Sequence, residues 1–493
     1  MSAEPGPGEA ESVTRHILRE TTVFAALGIL SGVLRWVGSV ILARLLERRD
    51  FGVFGICSFY IGLGGLLGNG GLGATLLRRK GDVTNDEYRV TVTALVAVAA
   101  VLAVALTAAA PWIGAYNHLS TEETTVLQVM APVYLVSALR VVPYVRLERQ
   151  LLFSTIARIE LLSTLVQHAC ALTLAVLAGS VWALVVSHLA GAVVQLGLAY
   201  RASPGWVGLG WSWRVFRPLI AYGSKVQALS IFAYLKDNSS RALLGHWAGP
   251  TAVGTFDFGV SYIQTPVAAV NGLSRVQLPV YARLEAQDPS LYSTLRGGMR
   301  TALLVGIPLL CVLALLAPWL IPFIYGEKWK AAYPVVWGLL VNMVCGLVAS
   351  PLFTLLQGQG RAGLAVIVFT LWTGATWLLA LLAISVSADA LALIACAYSV
   401  ATVGVTAYLL VWATRHLKRS AFSGLGGPVL SGALGLAAAG ALAWRVGGVF
   451  VHPVATAAVF LVTYVAVLAM KEGQLVLSEA QAIIGSIRRK KPS

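Results

Sequence analysis

RPLIAYGSKVQALSIFAYLKDNSSRALLGHWAG, residues 217–249, has the length and flanks of a membrane-spanning helix, yet it contains Lys225, Lys236, Asp237 and Arg241. An ionisable group in hydrocarbon costs roughly 2.5–3.5 kcal/mol on insertion scales, so four in one span need neighbours or water. At about 100° per residue, Lys225 and Lys236 fall within about 20° of each other, while Asp237 and Arg241, at i and i+4, are placed to pair on another face. The two lysines then share a stripe with no matching acid. That stripe is expected to face a wet cavity and meet an anion. Structural charge burial, or Lys225 snorkelling to the interface, is the alternative.

Outward from this stretch the chain is oily throughout. Of 493 residues, 58% are apolar and 12% charged, and the mean hydropathy is +0.78. Apolar runs of about twenty residues, separated by short polar joints, mean a polytopic helical membrane protein. Fourteen spans are expected: 22–46, 51–77, 90–111, 124–146, 153–178, 181–200, 217–248, 252–281, 299–325, 331–357, 362–386, 389–413, 424–444 and 449–470. The polar opening MSAEPGPGEAESVTRHILRE lacks the apolar core and small-residue cleavage site of a secretory signal. No processing is expected.

A formal charge of +15 invites a nucleic-acid reading, but topology explains it. With fourteen spans, 26 of the 36 basic residues, Arg140 and Arg149 among them, are assigned to one set of alternate loops, six to the other, and four inside spans. The positive-inside rule therefore places both termini in the cytoplasm. The five cysteines are scattered through apolar segments, the seven histidines form no HxxxH or HExxH cluster, and no Walker A or Rossmann glycine sequence occurs. No catalytic residues and no metal ligands stand out, and the missing Walker A sequence argues against an ATP-driven pump within this chain.

The first and seventh spans open similar passages. A shift of 202 residues aligns Ala26 with Ala228, Gly52 with Gly254, Phe54 with Phe256, Tyr60 with Tyr262 and Asn69 with Asn271, among twelve identities over residues 21–90. Two six-helix lobes in the same orientation follow, 22–215 and 216–420, with two further helices at 421–470 and a basic cytoplasmic tail at 471–493. The tail is expected to lie on the cytoplasmic surface, its basic end against anionic lipid. Parallel repeats of this kind leave a site between the lobes near mid-membrane. Arg35 aligns with Asp237, beside Lys236, so both lobes would aim bases at one space.

Polar stripes mark other spans. Ser31, Arg35 and Ser39 repeat every four residues in the first, and Asp257, Ser261, Gln264, Asn271 and Arg275 follow one face of the eighth. His188 and Gln195 lie in the sixth, and Thr164, Gln167 and His168 in the fifth. Such stripes either hold helices together or line a water path. Asp257, with Asp237, is a candidate for ion coupling, or else simply partners a cavity base.

At ILARLLERRDFGVFGICSFYIGLGGLLGNGGLGATLLRRK, residues 41–80, the chain resembles the Wzx-type flippases of polysaccharide biosynthesis, in the multidrug/oligosaccharidyl-lipid/polysaccharide superfamily. Leu42 to Leu46, Asp50, Phe51, Gly52 and Gly71–Leu72–Gly73 carry the likeness, and Asn69 stands where relatives commonly have an Asp. The resemblance implies an all-α polytopic membrane protein of about 14 helices around a basic central cavity. It implies movement of a polyprenyl-pyrophosphate-linked oligosaccharide from the cytoplasmic to the outer leaflet by alternating access. Arg35, Lys225, Lys236, Arg241, Ser31, Gln264 and Asn271 would then contact pyrophosphate or sugar. No cofactor is expected, and coupling to a proton or sodium gradient stays open. The partners would be the lipid-linked oligosaccharide, membrane lipids and the polysaccharide polymerase and chain-length machinery, in a bacterial cytoplasmic membrane. A multidrug or cation antiporter, a lipid II flippase and a nontransporting scaffold are the rival readings. The first would want an acidic cavity, whereas intramembrane bases outnumber Asp237 and Asp257.

Overall fold

In the computed structural model, the residues described are 7–79, 81–203, 205, 207–264, 281, 284, 288–386, 390–445 and 452–489, and among them every long element is a helix. The first unit of the chain, Met1–Gly254, begins with α1 (Pro7–Leu45), α2 (Arg48–Asn69) and the short α3 (Leu72–Arg78). It continues through α4 (Asn85–Tyr116), α5 (Thr121–Met130), α6 (Val133–Arg149), α7 (Phe153–Ala178), α8 (Trp182–Ala202) and α9 (Trp213–Trp247). The division from the second unit, Thr255–Ser493, falls inside α10 (Gly249–Gln264). The second unit then holds α11 (Pro289–Tyr325), a 3-10 turn at Glu327–Ala332, α12 (Tyr333–Gly338), α13 (Leu340–Gly358) and α14 (Ala362–Val386). It ends with α15 (Ala390–Leu417), α16 (Gly426–Arg445) and α17 (Pro453–Arg489).

Twelve helices among the described residues are long and apolar enough to cross a bilayer. The two other expected spans correspond to α9, whose six Arg, Lys and Asp residues lower its apolar character, and to 252–281, of which residues 265–280 lie outside the described residues. α9 begins four residues before the expected 217–248 and ends one residue short of it. Exposed tryptophans sit near the C-terminal ends of α4 (Trp112), α9 (Trp247), α11 (Trp319) and α16 (Trp444). At the end of a span an indole is at home in the headgroup zone. Large apolar side chains left exposed elsewhere, such as Ile29, Val104, Val176 and Val462, suit a hydrocarbon solvent.

Helix starts are written locally. Thr84 and Glu87 form a reciprocal capping box on α4, the Thr84 backbone N–H donating to Glu87 Oε2 at 2.9 Å and the Glu87 N–H to Thr84 Oγ1 at 3.3 Å. Ser120 and Glu123 do the same for α5. Glu123 also receives Arg49 in a two-bond fork, at 2.6 and 2.7 Å, tying the start of α2 to the start of α5. At the other end of α2, Gly70 and Gly71 both take positive φ, 55° and 70°, and reverse the chain into α3.

The core of the first unit is apolar packing from α2, α4, α5, α6 and α8, with Leu95, Val126, Met130, Val142 and Val185 all essentially inaccessible. α1 lies along α7, and α7 along α8. α9 packs on α2, α3 and α4, which places it with the first unit, whereas the repeat register begins the second lobe with it. In the second unit α11 packs against α13, α16 and α17, and α15 against α13 and α14.

Candidate functional site

The described candidate site residues lie on α1, α9 and α10, and α9 is held closely to the first unit. Its Gly223 lies against the α2–α3 turn so tightly that a Cβ there would overlap the Gly70 carbonyl oxygen, and a Cβ on Gly71 would overlap Gly223 in return. Farther along, the Tyr234 hydroxyl donates to the Phe59 carbonyl at 2.9 Å, stacks on the Phe59 ring at 6.0 Å, and fills the space left by the missing side chain of Gly62. At its C-terminal end, His246 Nδ1 meets the Tyr116 carbonyl at 2.7 Å and the His118 ring nitrogen meets the His246 carbonyl at 2.9 Å. α9 is thus pinned to the first unit at its start, middle and end.

Its ionisable residues pair differently from the i, i+4 expectation. Lys236 bonds to the carboxylate of its neighbour Asp237, with the lysine side chain 19% exposed and the aspartate 61%. Arg241 donates to Asn238 Oδ1 at 2.8 Å. A stripe of two lysines without any acid is therefore corrected for Lys236. Its four-carbon stem lets the ammonium fold back to a carboxylate one position away, which a face-by-face helical projection does not anticipate. The side chain of Lys225 lies outside the described residues, although its backbone is part of α9.

In α1, Arg35 sits within two residues of the midpoint of the apolar span Thr22–Leu45. Its side chain is exposed, and among the described residues no hydrogen bond, ion pair or ring contact engages it. Ser31, one turn earlier, is buried with no partner for its hydroxyl among the described residues, so it does not share an accessible surface with Arg35. Ser39 is exposed and donates to the Trp36 carbonyl at 2.8 Å. On α10, Asp257 is half-buried while Ser261 and Gln264 are exposed. Asn271 and Arg275, the continuation of that stripe, lie outside the described residues.

Two features were not legible in the sequence. Arg140, counted with the basic loops although the expected span 124–146 encloses it, lies well within α6, and its partners there were not readable. In the second unit, α11, α13, α15 and α16 enclose an apolar groove of about 600 Å³, lined by Leu303, Ile307, Val344, Leu410, Val429 and Leu436 among others, with no charged residue in its wall. Its volume is that of an ordinary small-molecule pocket. Every contributing segment reads as a plain span, so nothing in the sequence separates groove from packing.

A profile of the family described as polysaccharide biosynthesis protein matches residues 41–334. The teichuronic acid biosynthesis protein TuaB of Bacillus subtilis (strain 168) is 23% identical over 301 residues, 60% of this chain and 61% of TuaB, so the match spans less than two thirds of that relative. The lipopolysaccharide biosynthesis protein WzxC of Escherichia coli (strain K12) is 23% identical over 372 residues, 71% of this chain and 72% of WzxC. The solved structure of the lipid II flippase MurJ, in an inward closed conformation, matches with a TM-score of 0.73 at 13% identity, covering 92% of this chain and 100% of that one. An inward-facing multidrug resistance MATE family transporter of the MOP superfamily matches with a TM-score of 0.60, also at 13% identity, over 81% and 99% of the two chains. At such identities the likeness to the solved structures is one of fold.

Proposed function

Because this chain belongs to the polysaccharide biosynthesis protein family, we propose that it is a flippase for a polyprenyl-pyrophosphate-linked oligosaccharide, working by alternating access in a bacterial cytoplasmic membrane with both termini in the cytoplasm. The observation that carries this reading is Arg35, an exposed guanidinium without a described partner at the centre of a membrane span. Facing acyl chains it would carry the full cost of a charge in hydrocarbon, so it belongs beside water and an anion. A pyrophosphate supplies that anion, and a guanidinium fork suits its oxygens. Lys225, Lys236 and Arg241 on α9 are the further cationic candidates, with Gln264 and Asn271 as polar contacts to sugar. The apolar groove of the second unit is of the right character to take part of the polyprenyl chain.

Ion coupling at Asp257 or Asp237 is part of the same proposal, as is a working association with polymerase and chain-length machinery. The relatives' names support a substrate destined for surface polysaccharide. A lipid II flippase shares the pyrophosphate and differs in the sugar, whereas an antiporter for organic cations is disfavoured by the unmatched base at Arg35. The test is rescue of a flippase-deficient polysaccharide strain, read together with the lipid-linked intermediate that accumulates without it. Rescue by wild-type protein but not by Arg35→Gln is the expected result. Equal rescue by both would overturn the role given to Arg35.

A further inference from the structure

A second guanidinium lies inside the first unit, away from α1 and α9. α5 and α6 together form the span Thr121–Arg149, and Arg140 sits five residues, about 8 Å, from its midpoint. With a hydrocarbon core about 30 Å thick, that is well below the headgroups. The side chain is half-buried between α6 and α8. It donates to Gln195 Oε1 on α8, and its Cζ stands 5.5 Å from the centre of the Tyr144 ring. The amide of Gln195 is committed at both ends, because its Nε2 donates to the Tyr144 hydroxyl at 2.8 Å. Arg140, Gln195 and Tyr144 therefore close a triangle that contains one positive charge and no negative one.

Two unspent donors remain. A guanidinium has five N–H groups, and Gln195 is the described acceptor for this one. The Tyr144 hydroxyl accepts from Gln195, which leaves its own O–H to give, and no described acceptor receives it. Among the described residues no carboxylate forms an ion pair with Arg140. His188 stands seven residues before Gln195, on the same face of α8, its ring edge-on to Phe54 at 6.0 Å. Glu148 and Glu160 stand near enough to Tyr144 to act on it electrostatically, yet neither pairs with Arg140, and a charge this deep without an ion-pair partner is stable when an anion or water joins it.

We propose that Arg140 and Tyr144, held in register by Gln195, form a second anion site that takes a phosphate group within the first unit. The guanidinium fork would grip two phosphate oxygens and the phenol would donate to a third. That this phosphate belongs to a lipid-linked diphosphate rests on the flippase reading above; the site chemistry itself does not.

The experiment is a thermal-melting titration of the full-length protein in lipid nanodiscs, with inorganic pyrophosphate and, separately, farnesyl diphosphate as probes. Wild type is expected to be stabilised by at least one probe, with a response that weakens as salt rises. Arg140→Gln should weaken that probe by at least about tenfold, the scale of a lost charge-assisted hydrogen bond. Arg140→Lys and Tyr144→Phe, which retain the charge and the ring respectively, should give smaller losses and guard against a folding artefact. A response to both probes marks a general phosphate site, and a response to farnesyl diphosphate alone marks a lipid headgroup site. The proposal is overturned if neither probe stabilises wild type, or if Arg140→Gln melts lower without ligand yet shifts with probe as wild type does, as a purely structural pin would. Strain rescue is scored separately. Failure of wild type to rescue counts against the transport reading and leaves the binding result standing.

Discussion

Arg35 shows how much a single side chain decides here. Its neighbours Ser31 and Ser39 repeat at helical spacing, yet Ser31 is buried and Ser39 spends its hydroxyl on the Trp36 carbonyl, so of the three only the arginine offers a polar group that is exposed as well as uncommitted among the described residues. Arg35→Lys should keep part of the transport rate and Arg35→Gln should lose it, since a compact ammonium replaces the charge but not the fork. Lys225→Ala and Lys236→Ala, alone and together, are expected to insert normally and lose flipping. Membrane abundance and rescue of a flippase-deficient strain check both halves of that statement. Removing Lys236 also leaves Asp237 without its described partner, so Lys236→Ala combined with Asp237→Asn should restore expression if charge imbalance, rather than substrate contact, causes a defect. The basic character of α9 was legible from residue types, whereas the pairing was not. Which acid a lysine chooses depends on its flexible stem and on neighbours distant in the chain.

At the scale of elements, the approach of α9 to the α2–α3 turn is set by glycines on both sides. Gly223→Val should push α9 away and destabilise the protein by about 1–3 kcal/mol, the usual cost of forcing volume into a packed contact. A lowered melting temperature in detergent or nanodiscs would register it, and the same substitution at Gly28, which has open space around it, should register nothing there. Glu123 is the corresponding polar fastening: Glu123→Ala removes both the fork with Arg49 and half of a capping box, so it should cost more than Arg49→Ala. In front of α11, the Ser290 hydroxyl and backbone N–H both donate to Asp288 and hold its carboxyl below the usual range. That cap is complete at neutral pH and weakens only as pH falls through the lowered value; Asp288→Asn should remove the acid dependence of helix onset, followed by circular dichroism. Spans were readable because twenty apolar residues have few alternatives in a membrane. Contacts among them were not, because a glycine-rich run such as GLGGLLGNGGLG fits close packing, a bend or a reversal equally well.

For the whole molecule, the bias of basic residues towards one set of loops predicts cytoplasmic termini. Enzyme reporters fused at the chain ends and after Trp444 should report opposite sides. The groove bounded by α11, α13, α15 and α16 gives a further expectation: Val429→Asp should leave insertion intact and slow transport of a polyprenyl-linked substrate more than that of a short-chain analogue. The groove and the Arg140–Gln195 pairing were not visible beforehand, because both arise where segments far apart in the chain meet, although the expected span 124–146 already enclosed the arginine. Arg35, at the centre of the first span, also has an electrical consequence. An empty carrier bearing it is drawn toward the negative face of an energised membrane, while a loaded one, its surplus cancelled or reversed by diphosphate, is driven the opposite way. At about 2.3 kcal/mol per elementary charge per 100 mV, voltage would then favour both strokes of the cycle, and Arg35→Lys should retain a sensitivity to depolarisation that no neutral replacement shows.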